Sequence, residues 1–439
     1  MKARLLPVYF SSGMDEEYRK QVATLRELLR EEAEILDPVP LGTQVSESDA
    51  LLFPQVLGEA YRSVAVLEAY RLPVLVVTSP FGTMNMWDWE IVTYLRHHGI
   101  QVFAPYALEL TRSLVRTFAF RRRAQQAKFL VFQDNPGEGM QAEIFKRFFW
   151  WETECRRGIQ ERFGIETIVR SFRELGEQAK SIPDAVADAE WARWRLPVEG
   201  ITERSLRSAV KLYLALSREL ETHGDVLGMG VNCLNESFFS DTTPCLAWDM
   251  LFEERNVLWA CEADTLSLLT ECIVYFSLQA PVMMTNIYPF LMGEAALRHE
   301  RIDRFPDVPE PEHHALCAHC GYLGVLPRPF AASWCVRRKV LRIVDDNAIA
   351  LDARLPEGQI TLVKLHPSLA KMVVAQGYLE GYVQYPGSDC ENGALIRVRD
   401  GYRLVEKLPS HHVCLVGGAH AAALRQIAQV LGLEVEEIE

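Results

Sequence analysis

A chain of 439 residues that is 49% hydrophobic is longer than one core ordinarily supports, so two or three domains are expected, each with ample apolar material. The formal charge of -13 excludes the basic surface that nucleic-acid phosphates require. The apolar runs are too short or too interrupted to span a bilayer, and the opening MKARLLPVYF lacks the apolar core and cleavage site of a secretory signal, so a cytoplasmic protein with no membrane partner is expected.

Residues 1–123 alternate strand-like and helix-like segments: LLPVYFSS, EEYRKQVATLRELLREEAEI, SDALLFPQV, a helix near Ala60 to Ala69, LPVLVVT, a helix over Met86–His98, and GIQVFAP. Apolar strands interleaved with helices indicate a parallel sheet covered on both faces, and predict an N-terminal Rossmann-like α/β domain. The basic cluster Arg121, Arg122 and Arg123 at its end reads as a solvated helix face.

A second alternation opens at AKFLVFQDNPGEGM, with a strand Phe129–Phe132, a turn containing Gly137 and Gly139, and a helix from Gln141. The GEG triplet lacks the full dinucleotide fingerprint, so it reads as a plain turn and no nucleotide cofactor is predicted. GIETIVRSF, the helix ERSLRSAVKLYLALSRELETHG, the strand VLGMGVNC and an acid-rich stretch complete a second Rossmann-like α/β domain expected over 124–289. Beyond FPDVPEPEHH the pattern changes to short strands separated by turns, which predicts a smaller, mainly antiparallel β domain, barrel or sandwich, over 290–439. The helix AHAAALRQIAQVLG and the strand LEVEEI close it.

The acid-rich stretch runs from Gly228 to Val274 and sets carboxylates on short apolar segments that ought to be buried. A buried carboxylate is tolerable only with a cation, a metal or several donors beside it, so a divalent metal site is the first hypothesis. Glu236 follows the strand VLGMGVNC, Glu262 and Asp264 follow NVLWAC, and ligands in α/β sheets collect outside the carboxyl ends of strands. His319 in LCAHCG and the pair His411 and His412 in LPSHHVCL supply imidazoles from later in the chain. Plainer readings stand beside these. Glu236 suits an exposed loop, Glu262 and Asp264 suit helix capping, His319 with Cys317 and Cys320 suits half a zinc knuckle, and one of the two adjacent histidines suits solvent. The ten cysteines read as reduced core residues, with Cys335 and Cys390 lone, and no redox function is indicated.

The run from Asn232 to Thr270, with NCLNE, PCLAWDML and ACEADTLSLLT, resembles the central motif block of the L-fucose isomerase and L-arabinose isomerase superfamily, in its fucose-isomerase-like branch. LCAHCG is similar to a histidine-cysteine motif of that branch, and KLPSHHVCLVGGAHAAALRQIAQVLGLEVEEI resembles the C-terminal segment of the arabinose isomerases. The resemblance implies a three-domain aldose-ketose isomerase, assembled as a trimer or hexamer, that uses Mn²⁺ and acts on a small open-chain sugar through an enediolate. It implies that Glu236 and Glu262 or Asp264 bind the metal and move the proton, and that His412, or His411, is the C-terminal ligand. His319 would line the site or add a ligand. At the position where fucose isomerases carry their first acid this chain has Trp248 or Asp249, so Trp248 is expected to stack on the sugar. A non-catalytic sugar-binding or regulatory protein is the rival reading, and a metal-dependent lyase or epimerase shares the same chemistry. Arg337, Arg338 and Arg397 would favour an anionic substrate if they lined the pocket, and otherwise read as solvated strand edges.

Overall fold

A computed structural model describes residues 1–10, 12–43, 47–136, 138, 143, 146, 152–290, 308–340, 346–383 and 392–438. The chain divides into two compact units: Met1–Gln125 with 276–278 and 422–432, and the remainder.

The first unit is built on six parallel strands, β1 (Ala3–Tyr9), β2 (Ala33–Ile35), β3 (Val39–Pro40), β4 (Ala50–Phe53), β5 (Val74–Val76) and β6 (Val102–Phe103). Their order is β2-β1-β4-β5-β6, with β3 beside the end of β1. Period-two alternation splits the apolar side chains between two cores. Leu5, Leu52 and Leu75 meet Leu25 of helix Glu16–Leu28 and Phe118 of helix Leu108–Ala124 on one face. Leu6, Leu51, Phe53, Val74 and Val76 meet Leu67 of helix Val64–Tyr70 and Val92 and Leu95 of helix Trp89–His97 on the other. Asp15 caps the first helix by accepting the Tyr18 N–H at 2.7 Å. That helix stops at Leu28, short of the expected EEAEI, because Ala33–Ile35 is taken by strand pairing. Arg121 and its neighbours are half-buried rather than solvated: Arg121 donates to the carbonyls of Asp49 and Val430, and Arg122 lies 3.7 Å from Asp49.

The second unit contains a parallel sheet and an antiparallel one. β7 (Lys128–Phe132), β8 (Glu166–Arg170), β9 (Val226–Val231) and β10 (Leu258–Ala260) run parallel in the order β10-β9-β7-β8. Helices Thr153–Phe163, Phe172–Ser181, Asp184–Trp194, Glu203–His223, Cys245–Arg255 and Thr265–Leu278 connect and cover it. The last is apolar nearly all round and buried from Thr265 to Val274, as expected of a helix enclosed on every side. The Gly137 and Gly139 turn and the helix start at Gln141 lie outside the described residues.

β11 (Val282–Pro289), β12 (His314–Ala318), β13 (Ser333–Arg338), β14 (Ile349–Arg354), β15 (Gly358–Leu365), β16 (Lys371–Val383), β17 (Gly393–Val398), β18 (His412–Gly417) and β19 (Glu434–Ile438) follow. Six of them close a ring in the order β15-β18-β11-β12-β17-β16, with β16 returning to β15 and every pairing antiparallel. β19 adds a parallel strand to β16, and β13 and β14 form a separate hairpin. β11 precedes the boundary expected at 289 and yet sits inside this ring. The fold is therefore mixed α/β, with parallel sheets followed by a barrel-like antiparallel sheet. Among the described residues no helix is long and apolar enough to cross a membrane.

Candidate metal centre

β9 and β10 pair in register, Ala260 opposite Gly230, so the chain leaves both strands side by side. After β10 it makes a single tight turn, Cys261–Ala263, in which Glu262 and Ala263 both take left-handed backbone angles, with φ of 54° at each. Such angles cost a non-glycine residue of order 1 kcal/mol and persist where the surroundings impose them. Gly230 is part of that imposition. A Cβ there would lie 3.2 Å from Ala263 Cα, a tight contact, so glycine lets the turn approach β9 this closely without displacing it. The turn sends the buried Glu262 side chain away from the sheet and leaves Asp264 to start the helix Thr265–Leu278.

Two imidazoles meet Glu262. His319 ends β12 at a tight turn in which its N–H donates to the Tyr322 carbonyl at 2.6 Å, with positive φ at Cys320 and Gly321, as a type I′ turn requires. His412 opens β18 opposite Asn286 of β11, and Asn286 also faces Ala318, the residue before His319, so both histidines come to the same end of the barrel-like sheet. Glu262 Oε1 lies 3.6 Å from His319 Nε2 and 3.6 Å from His412 Nε2. The three ligand atoms fall within 4.8 Å of one another, and all three residues are buried. Donors each about 2.1 Å from one ion sit about 3–3.5 Å apart, so a small contraction suffices for this group to hold a metal ion.

Behind His412 lies a charged support. Its Nδ1 lies 2.9 Å from Asp264 Oδ2, and Lys364 Nζ lies 3.0 Å from the same oxygen, with both Asp264 and Lys364 fully buried. Ser267 completes the carboxylate's shell through its N–H at 2.9 Å and its hydroxyl at 2.7 Å. Burial works against the Asp264 charge, but Lys364 and His412 outweigh it and hold the carboxyl well below the usual range. An ionised Asp264 accepts, so His412 Nδ1 donates to it and the ring turns Nε2 toward Glu262. Carboxylate–imidazole pairs of this kind orient metal-binding histidines. Asp264 is thus both the helix cap and the support of a ligand. Lys364 escaped the sequence reading, although a lysine inside the apolar strand QITLVKL was a signal for a buried partner.

The other expected residues go elsewhere. Glu236 is buried at the end of β9, and its oxygens accept the backbone N–H groups of Asp134, at 2.9 Å, and Asn135. It is absent from the convergent group. Burial raises its pKa, partly offset by those donors. His411 lies beside His412 with ring centres 4.5 Å apart and the rings tilted by 57°, but it is exposed while His412 is buried, as expected if one of the pair faces solvent. Trp248 is 1% exposed in the core of helix Cys245–Arg255 rather than lining a surface. The adjacent Asp249 accepts the Arg328 N–H at 2.8 Å, and burial pushes its carboxyl up to about 8. Cys317 and Cys320 do not join His319 in the convergent group, so among the described residues no zinc knuckle forms; Cys390 lies outside them. Arg337 pairs with Asp352 and Glu199, Arg338 with Asp346 and Arg397 with Glu380, each at a strand edge.

In comparison with known proteins, no protein-family model matches this chain, and no curated protein matches it either.

Proposed function

We propose that the chain is a metal-dependent aldose-ketose isomerase, with Mn²⁺ the preferred ion. The observation that carries the reading is the convergence of one carboxylate and two imidazoles, Glu262, His319 and His412, from segments far apart in sequence. Mixed carboxylate and imidazole donors suit Mn²⁺ or Fe²⁺ more than a thiolate-seeking ion. Two of the motif segments that carry the resemblance to the fucose and arabinose isomerases, ACEADTLSLLT and LPSHHVCL, supply Glu262 and His412. The accompanying fold reading, two Rossmann-like layers ahead of a β domain, draws support from the parallel pairing of β1–β6 and of β7–β10.

When bound, the ion supplies a Lewis acid that polarises a carbonyl and acidifies the neighbouring C–H. The chain's own residues divide the remaining work. Glu262, His319 and His412 hold the ion; Asp264 and Lys364 fix the His412 ring and its tautomer. Glu236 is the proton carrier in this reading, because burial raises its pKa toward the range in which a carboxyl both takes and returns a proton, and its turn packs against the Glu262 turn. The experiment is solvent exchange in D₂O followed by NMR, on metal-stripped protein with and without Mn²⁺, against a panel of aldoses and ketoses. Mn²⁺-dependent deuterium at C1 or C2 of one sugar is expected, lost in Glu236→Gln with metal binding retained. Sugar binding without metal dependence and without exchange would replace the isomerase with the non-catalytic sugar-binding reading.

A further inference from the structure

The metal reading leaves unused a group of thiols around the Glu262 turn. Cys233 follows β9 and Cys261 follows β10, and because those strands pair in register the two residues, 28 positions apart in sequence, leave the sheet together. The Cys233 sulfur accepts the backbone N–H of Glu262, the residue that follows Cys261, at 3.3 Å. Both cysteines are buried, at 3% and 4% exposure. All nine described cysteines are free thiols.

We propose that Cys233 and Cys261 form an oxidant-sensitive dithiol, a modification site for hydroperoxides, whose disulfide state disturbs the Glu262 ligand. The chemistry balances with hydrogen peroxide as the oxidant. One thiol sulfur attacks the O–O bond, giving a sulfenic acid and one water; the second thiol sulfur displaces the sulfenic oxygen as a second water and closes the S–S bond. The pair loses two electrons and two protons, and the peroxide takes up both. A disulfide draws the two sulfurs together to about 2.05 Å. That movement pulls on Cys261, which is covalently joined to Glu262, and withdraws the sulfur that accepts the Glu262 N–H. The dithiol stands without the metal reading; only its effect on ion binding rests on that reading.

The test treats the full-length, metal-stripped protein with hydrogen peroxide, blocks remaining thiols by alkylation, and maps peptides by mass spectrometry, with Mn²⁺ binding measured in parallel by calorimetry. The expected result is one cross-linked Cys233–Cys261 peptide, lighter by two hydrogens and reversed by dithiothreitol. It is absent in Cys233→Ser and in Cys261→Ala, and Mn²⁺ affinity falls about tenfold on oxidation and recovers on reduction. The wild-type map decides the matter even if a variant fails to fold. A cross-link joining other cysteines, or sulfinic acids at Cys233 or Cys261 with no cross-link, overturns the proposal. A Cys233–Cys261 cross-link in a protein that never bound Mn²⁺ sustains the dithiol and sinks the metal reading.

Discussion

Glu236 and Glu262 leave neighbouring parallel strands at the same edge of one sheet, both are buried, and both looked like ligands in sequence, yet they do different things. Glu236 faces backbone. Its oxygens accept N–H groups from the loop after β7, and Asp134 in that loop accepts from Ser171 and Arg173 after β8, so two acids stitch the strand exits together. Glu262 faces side chains, because two left-handed residues turn it toward His319 and His412. The difference teaches that a buried acid's role is set by what lies opposite it. Donors that are already fixed in the backbone pin a carboxylate in place, whereas lone-pair donors converging on it leave room for a cation.

The largest expected effect comes from the charged support that Glu262's surroundings have and Glu236's lack. Lys364→Met leaves the Asp264 charge buried without its cation and should lower unfolding stability by about 3–5 kcal/mol. Urea unfolding of the apo protein measures it, and adding Asp264→Asn to Lys364→Met should recover part of the loss. No recovery would mean that Lys364 acts through packing alone.

Next in size is the direct contrast between the two acids. Glu262→Ala should weaken Mn²⁺ binding by on the order of 10²-fold or more, since losing even a supporting residue costs about 10–100-fold. Glu236→Gln should weaken it by less than about tenfold while lowering stability by about 1–3 kcal/mol, because a carboxamide cannot accept all of the N–H groups that the carboxylate does. Calorimetry on stripped protein reads the first quantity and urea unfolding the second. Equal losses of affinity in the two variants would break the comparison.

The smallest effects are in the pH dependence. The group concerned is the fully buried Asp249. Its carboxyl, raised to about 8 from near 3.9, binds its proton more tightly in the folded state, so its contribution is lost as pH rises through that window. The slope is at most about 1.4 kcal/mol per pH unit. Urea midpoints between pH 4 and pH 8 should lose this slope in Asp249→Asn; an unchanged profile would show that the carboxyl titrates alike folded and unfolded.

Much of the fold was legible because it is written in local periodicity. Alternating Leu, Val and Phe in ALLF and KFLVF forms parallel strands, and the amphipathic ERSLRSAVKLYLALSRELETH forms a helix from Glu203 to His223 capped by Thr202. The short strands after residue 349 also form where expected. Local pattern failed where distant pairing decided the outcome. The strand at Ala33–Ile35 was read as helix, and β11 reads like its α/β neighbours although its partners are β12 and β18.

The candidate site shows the same division. Composition and spacing marked Glu262, Asp264, His319 and His412 as residues able to bind a metal, because carboxylates and imidazoles are rare in apolar segments without a purpose. Their separate roles, with Glu262 and the two histidines converging and Asp264 held behind His412 by Lys364, were fixed only in three dimensions. That Cys233 and Cys261 leave neighbouring strands together, with the Cys233 sulfur on the peptide N–H after Cys261, was likewise invisible in a chain where both looked like small core residues. Sequence determined which chemical groups would be buried, through periodicity and residue type. Tertiary structure decided which would touch, because strand register and two left-handed residues aim side chains from distant segments at one point, and no local pattern records that aim.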